Sequence, residues 1–208
     1  MGYELIIFDF DGTLADSFPY VVSLFDEVAD RHRIQRIDMD QIEMLRGLDA
    51  QQMMAYFHVP FWRMPFIARD VQSRMARDIQ RIALFDGMGR VLQELTARGK
   101  QLAVVSSNST ANIRKVLGPQ NSALIRYFEG GVTLLGKSPK IRKVMRRCGV
   151  QTHQTLLIGD EIRDIQAARQ AQVDCGVVAW GYTRLDALVN HMPEIVFHTV
   201  EDMLVKID

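Results

Sequence analysis

Charge of either sign is not in excess: 25 Lys and Arg stand against 25 Asp and Glu, for a formal net charge of zero. General nucleic-acid binders usually carry a basic surplus, so no nucleic-acid partner is expected. No apolar run approaches the roughly 18–20 residues that span a bilayer, so no membrane partner is expected either. The start, Met1-Gly2-Tyr3-Glu4, has no basic region leading into an apolar stretch, which argues against a secretory leader. There are only two cysteines, Cys148 and Cys175, and they form neither a disulfide framework nor a metal-ligand spacing. The five histidines (His32, His58, His153, His191 and His198) are scattered and suggest no His-based constellation. Internal repeats and low-complexity segments are absent. What is present is apolar residues, 48% of 208, enough for one sizeable core plus a lesser module and too many for a disordered chain. A cytoplasmic protein, monomeric or homodimeric, is the plain expectation.

Residues 4–10 read as a short buried strand ending in acid, interrupted by Gly12 and Thr13. Further strand-like runs lie at 102–105, 131–135, 155–158 and 175–179, with a weaker one at 195–197. Between them, Ile113, Val116 and Leu117 share a helical face, as do Ile141, Val144, Met145 and Cys148, and Ile162, Ile165 and Ala168. Strands that are apolar throughout and alternate with helices indicate an α/β fold. The expected form is a three-layer, Rossmann-like doubly wound parallel sheet covered on both faces. Ligands of such sheets sit beyond the carboxyl ends of the strands.

The stretch from about 17 to 83 breaks this rhythm. It shows successive helical patterns and no convincing strand. Val21, Leu24, Phe25 and Val28 make one face, with Pro19 suited to a first turn and Asp16 or Ser17 to a cap. Six of the eleven methionines fall here, together with Phe57, Phe61, Trp62 and Phe66. Ordinary helix packing accounts for such an excess, and so does an adaptable apolar pocket. The predicted organisation is a core from residues 1–14 and 84–208, with an all-helical domain inserted at 15–83.

Four polar signals follow strand-like runs. In Asp9-Phe10-Asp11-Gly12-Thr13, two carboxylates at i and i+2 leave a strand on the same side. Carboxylates so close need a cation or a shared proton, and Mg²⁺, which prefers oxygen ligands, meets that need. Ser106-Ser107-Asn108 precedes a helix and offers donors for an anion. Lys137-Ser138-Pro139 sets a lysine at the mouth of the next helix, with Ser138 as the expected N-cap. Gly159-Asp160-Glu161-Ile162-Arg163-Asp164 ends a strand in one acid and adds another a helical turn later. Each signal alone is commonly turn or cap chemistry. Four of them at the ends of separate strands of one sheet converge on a single ligand.

The run Asp9 to Ser17 resembles the first motif of the haloacid dehalogenase superfamily, D-x-D-G-T-[LV]. Ser106 resembles its second motif, Lys137 its third, and Gly159-Asp160 through Asp164 its fourth. The match spans essentially the whole chain, and the helical insertion is similar to the family's C1 cap. The run from Asp164 to Arg169 and Trp180-Gly181-Tyr182 is most like phosphoglycolate-phosphatase-type members. Two departures stand out: Ser-Ser-Asn replaces the Thr-Asn-Lys of many relatives, and Lys-Ser-Pro-Lys replaces Lys-Pro-x-Pro, which makes Lys140 a second candidate for the role of Lys137.

The resemblance implies a Mg²⁺-dependent phosphatase acting on a small phosphorylated metabolite, phosphoglycolate-like or a sugar phosphate, through an aspartyl-phosphate. It implies Asp9 as nucleophile and Asp11 as general acid and base. Ser106 and Lys137 complete the catalytic set, with Gly12, Thr13, Ser107 and Asn108 around the phosphate. The metal would be held by Asp9, the Asp11 main-chain carbonyl and Asp160, with Asp164, or less favourably Glu161, acting through water. Arg46, beside Gly47, resembles a cap residue that faces the substrate. A sugar phosphomutase shares all four motifs, and a non-hydrolytic phosphoaspartate regulator shares the acids, the hydroxyl and the lysine.

Overall fold

The computed structural model describes residues 2–132 and 136–207. Six strands form one sheet: β1 (Leu5–Phe8), β2 (Gln101–Val105), β3 (Ile125–Glu129), β4 (Thr155–Gly159), β5 (Asp174–Val178) and β6 (Ile195–Phe197). Their order is β3-β2-β1-β4-β5-β6 and every pairing is parallel. The chain moves outward from β1 to one side, then crosses back and moves outward to the other. Ligands bind at such a reversal, in the crevice beyond the carboxyl ends of β1, β2 and β4. Phe8 lies in register with Val104 of β2 and Ile158 of β4, so the residues that follow emerge at one edge.

Both faces of the sheet are covered, which explains why its strands are apolar without alternation. Ile6, Phe8, Leu102, Val104, Leu156 and Ile158 belong to one buried cluster. It is closed by α6 (Met88–Ala97), α7 (Thr110–Leu124) and α11 (Asp202–Lys206). Leu5, Ile7, Ala103, Val105 and Leu157 face the other way, onto α8 (Ser138–Cys148), α9 (Ile162–Ala171) and α10 (Leu185–Val189). Cys175 is buried in this second cluster, and Cys148 packs against its edge. No helix among the described residues is long and apolar enough to cross a membrane.

Between β1 and α6 lie α1 (Phe18–Ser23), α2 (Phe25–His32), α3 (Ile42–Leu45), α4 (Ala50–Tyr56) and α5 (Met64–Arg77), and no strand. The chain leaves and re-enters the sheet layer side by side. Asp16 N donates to Ala83 O at 2.9 Å and Phe85 N to Leu14 O at 3.0 Å. Tyr20, Leu24, Val28 and Met75 of this segment join the first cluster. Phe57 packs against Phe25 with ring centroids 5.4 Å apart. Phe61, Trp62 and Phe66, by contrast, are 58%, 67% and 60% exposed, so helix packing does not account for them.

Three local expectations need correction. The strand expected at 131–135 falls partly on residues 133–135, which lie outside the described residues, and Gly131 takes a left-handed φ of 93°. The strand that pairs with β2 is β3, which begins earlier, at Ile125. The N-cap of α8 is Lys137, with Ser138 already helical and Pro139 in the first turn. Ser17 does stand at the N-cap of α1, but its hydroxyl pairs with the Tyr182 hydroxyl at 2.9 Å instead of capping the helix.

Candidate active site

Asp9 follows β1 directly, its N–H donating to Ile158 O at 2.8 Å, and is 2% exposed. Its Oδ2 meets Lys137 Nζ at 2.6 Å, and the same ammonium meets Asp164 Oδ1 at 2.5 Å. Asp9 Oδ1 is buried and has no hydrogen-bond partner. Asp9, Asp160 and Asp164 each offer a carboxylate oxygen, all within 4.8 Å of one another. Burial alone would lower the Lys137 pKa, but the Asp164 and Asp9 charges outweigh it and hold the ammonium protonated. Burial, then the charges of Glu161, Asp9 and Asp164, pushes Asp160 well above the usual carboxylate range.

Asp160 is held from both sides. Thr13 Oγ1 donates to its Oδ1 at 2.7 Å and Tyr182 N to its Oδ2 at 2.8 Å. Asp164 Oδ2 accepts from Glu161 N at 3.1 Å, which locks the first turn of α9 beneath the cluster. Glycine is required where the loops close on these acids. Gly12 has φ 76°, and a Cβ there would lie 2.2 Å from Asp160 Oδ2. A Cβ at Gly181 would lie 2.1 Å from Asp160 Cβ. Gly181→Ala is therefore expected to destabilise the protein by about 1–3 kcal/mol through overpacking. It is also expected to lower turnover by roughly a hundredfold, because the carboxylate is displaced by a bond length or so. Thermal melts and kcat/KM measured side by side check both effects.

Asp11 stands apart from the three-acid cluster. Asn108 Nδ2 donates to its two carboxylate oxygens at 3.2 and 3.0 Å. The orientation of that amide is fixed, because Asn108 Oδ1 accepts from Ser109 N at 2.8 Å and from Asn112 Nδ2 at 3.1 Å. Burial first, and the Asp9 charge second, push Asp11 up to about 6, against the lowering effect of its bonds to Ser17 and Asn108. Asn108 is thus committed to Asp11; the phosphate-donor expectation does not describe its side chain. Ser106 is buried, and its Oγ accepts from Asn108 N at 3.1 Å.

Of the two lysine candidates, Lys137 sits on the acids. Lys140 Nζ donates to the carbonyls of Ser106 at 3.2 Å and Gly130 at 3.1 Å, bracing the loop after β2. Arg46 is engaged with the core and also lines the cavity between the core and the helical insertion. Its Nε donates to Tyr182 O and its Nη2 to Gly181 O, both at 3.0 Å, and its Nη1 pairs with Glu43 at 2.8 Å. Glu161 pairs with Arg163 at 2.5 Å.

Gln72, Asn112 and Arg163 carry no sequence signature of a role in the site, and Tyr182 carries only a faint one. Tyr182 braces both Asp160 and Ser17. Gln72 Nε2 donates to Ser107 O, and Asn112 Nδ2 to Gln72 O at 3.0 Å, joining α5 to the loop after β2. Arg163 lines a cavity of about 190 Å³ with Ser106, Ser107 and Lys137. The one available signal was Trp180-Gly181-Tyr182, a glycine between aromatics just past a strand end.

The model of the family described as haloacid dehalogenase-like hydrolase matches residues 6–178. A phosphoglycolate phosphatase of Synechococcus elongatus is 31% identical over 202 residues, covering 97% of this chain and 95% of that one. Tyrosine-protein kinase PtkA of Mycobacterium tuberculosis is 26% identical over 213 residues, covering 96% of this chain and 71% of its own length. Among solved structures, a haloacid dehalogenase-like family hydrolase from Streptococcus pneumoniae superposes with a TM-score of 0.80 at 20% identity, over 98% of this chain and 97% of that one, a likeness of fold. With the matched model spanning the sheet from β1 to β5 and the first relative covered almost end to end, this chain belongs to the haloacid dehalogenase-like hydrolases.

Proposed function

We propose that the protein is a Mg²⁺-dependent phosphatase that hydrolyses a small phosphate monoester through an aspartyl-phosphate on Asp9. The observation that carries the reading is the unpartnered, buried Asp9 Oδ1 inside a three-carboxylate cluster that also holds Lys137. Ionised, those carboxylates carry three negative charges and the lysine returns one. The remainder fits a divalent ion, and the all-oxygen donor set suits Mg²⁺. Asp9, Asp160 and the Asp11 carbonyl would hold it, with Asp164 acting through water. When bound, it neutralises charge on the transferring phosphoryl group.

The chain's own groups then divide the work. An Asp9 oxygen attacks phosphorus as the ester P–O bond breaks, and Asp11 gives its proton to the departing alkoxide. A raised Asp11 pKa suits that start, since the acid must begin protonated. Asp11 next takes a proton from water as the water oxygen attacks phosphorus, which releases inorganic phosphate and restores the Asp9 carboxylate. Lys137 and the Ser106 hydroxyl stabilise the equatorial oxygens. Residues 15–83 serve as the cap that excludes water, held to the core by Arg46 on one side and Gln72 on the other.

Mg²⁺-dependent release of inorganic phosphate from p-nitrophenyl phosphate tests the reading, and product analysis with sugar phosphates separates hydrolysis from isomerisation. A second measurement reads the metal without turnover. Mg²⁺ at a hundred times its Kd is expected to stabilise the protein by about 2.7 kcal/mol, a rise in Tm of roughly 5–10 °C. Asp160→Asn is expected to erase the Mg²⁺ shift, the amide being a poor ligand for the ion. An undiminished shift in that variant would remove Asp160 from the ion's ligands.

A further inference from the structure

We propose that the alcohol portion of the substrate has an uncharged, apolar body, aromatic or branched aliphatic, and carries no carboxylate; this rests on the phosphatase reading above. The inference comes from a cavity of about 750 Å³ between the helical insertion and the core. Its size suits an organic ligand, since such pockets run from roughly 300 to 1,000 Å³. Phe18, Val22, Phe25, Leu45, Leu48 and Met53 line it from the insertion side. Its core side is Glu161, Tyr182 and Thr183. Two of these belong equally to the acid site: Glu161 adjoins Asp160, and Tyr182 N donates to Asp160 while its hydroxyl pairs with Ser17. The cavity thus shares two wall residues with the surroundings of Asp160, and the leaving group is assigned to it.

The charges in the wall decide the class of group. Among the described lining residues the charged ones are Asp26, Glu161 and Arg46. A carboxylate drawn out of water needs a cation or several donors facing it. Arg46 is the single cation, and three of its five N–H groups already donate to protein oxygens, on Tyr182, Gly181 and Glu43, the last a carboxylate that offsets its charge. The other two charges are acids, which repel a second anion. The carboxylate of a glycolate leaving group would lie against a largely apolar wall and compete with Glu43 for one already engaged guanidinium. An apolar body instead removes its own surface and that of the wall from water. Phe18 packs edge-on to Tyr182, ring centroids 5.1 Å apart, which adds an aromatic wall against which a planar group can pack.

The test compares benzyl phosphate, isobutyl phosphate and phosphoglycolate at saturating Mg²⁺, all esters of alcohols that need protonation on leaving. Benzyl phosphate is expected to exceed phosphoglycolate in kcat/KM by about tenfold or more. Met53→Arg puts a free cation into the wall and is expected to lower the benzyl-to-phosphoglycolate ratio by at least about tenfold. Ala50→Arg, at an exposed lining position, replaces it should Met53→Arg fail to fold. Equal rates, or a preference for phosphoglycolate, in the unaltered protein overturn the inference while leaving the phosphatase reading intact. Absence of turnover with every ester, p-nitrophenyl phosphate included, overturns both.

Discussion

Asp9→Asn is expected to lower phosphatase turnover by roughly four orders of magnitude or more, whichever ester is supplied. The amide has the shape of the carboxylate but neither its charge nor its nucleophilicity, so the bond to phosphorus cannot form. The fold should survive. The residue's backbone bond to Ile158 remains, and Lys137 keeps Asp164 as its partner at 2.5 Å. Loss of one Lys137 pairing is set against relief from one of three crowded carboxylates, so the metal-free Tm is expected to move by only a few degrees. Asp11→Asn provides the contrast. Its defect should depend on the leaving group, severe for an alkyl phosphate whose alkoxide needs a proton and milder for p-nitrophenyl phosphate, whose phenolate leaves unaided. Single-turnover and steady-state rates for both esters with both variants separate nucleophile from acid. Appreciable turnover by the Asp9 variant would move the nucleophile elsewhere.

The pairing of Asp9 with Asp11 was visible in the residue pattern because both leave a strand whose period of two is fixed by backbone geometry, whereas their separate roles came from the family resemblance. Gly12 at φ 76° follows from the same turn. The parallel sheet was legible for an equally physical reason: a strand buried on both faces cannot alternate, and Leu5-Ile6-Ile7-Phe8 does not. Of the two edge strands, β6 was legible and β3 was not. β3 pairs on one side only, and its Arg126 is exposed, so the segment reads as a loop beside the more apolar run that follows. Side-chain commitments were the other blind spot. Asn108 was sorted with the phosphate donors by its position before a helix, but bonds from Ser109 and Asn112 turn its amide onto Asp11. Arg46 and Gln72 end on main-chain carbonyls, and a carbonyl has no signature in sequence. The rivalry of Lys137 and Lys140 likewise needed three dimensions. One turn of helix carries one ammonium to the acids and the other to the back of the loop.

Lys137→Met is the substitution expected to injure stability most. The ammonium is buried and lies 2.6 Å from Asp9 and 2.5 Å from Asp164, two carboxylates that it bridges. Removing one partner from a buried ion pair typically costs about 3–5 kcal/mol, because the charges left behind have neither water nor a counterion. For a chain of this length that is a fall in Tm of roughly 6–20 °C. The loss should shrink when Mg²⁺ is added, since a cation in the cluster takes over part of the neutralisation. Turnover should not return with it, because the proposed mechanism also needs the lysine on the phosphate oxygens. Lys137→Arg is not expected to rescue either property, as a planar guanidinium cannot bridge oxygens fitted around a compact ammonium. Lys140→Met supplies the control. Its bonds run to the carbonyls of Ser106 and Gly130, so its loss loosens a loop without uncovering buried carboxylates. Melting curves of the three variants with and without Mg²⁺ therefore distinguish charge balance from bracing. If Lys137→Met melts like Lys140→Met and responds to Mg²⁺ no more strongly, the acids are not held together by that ammonium.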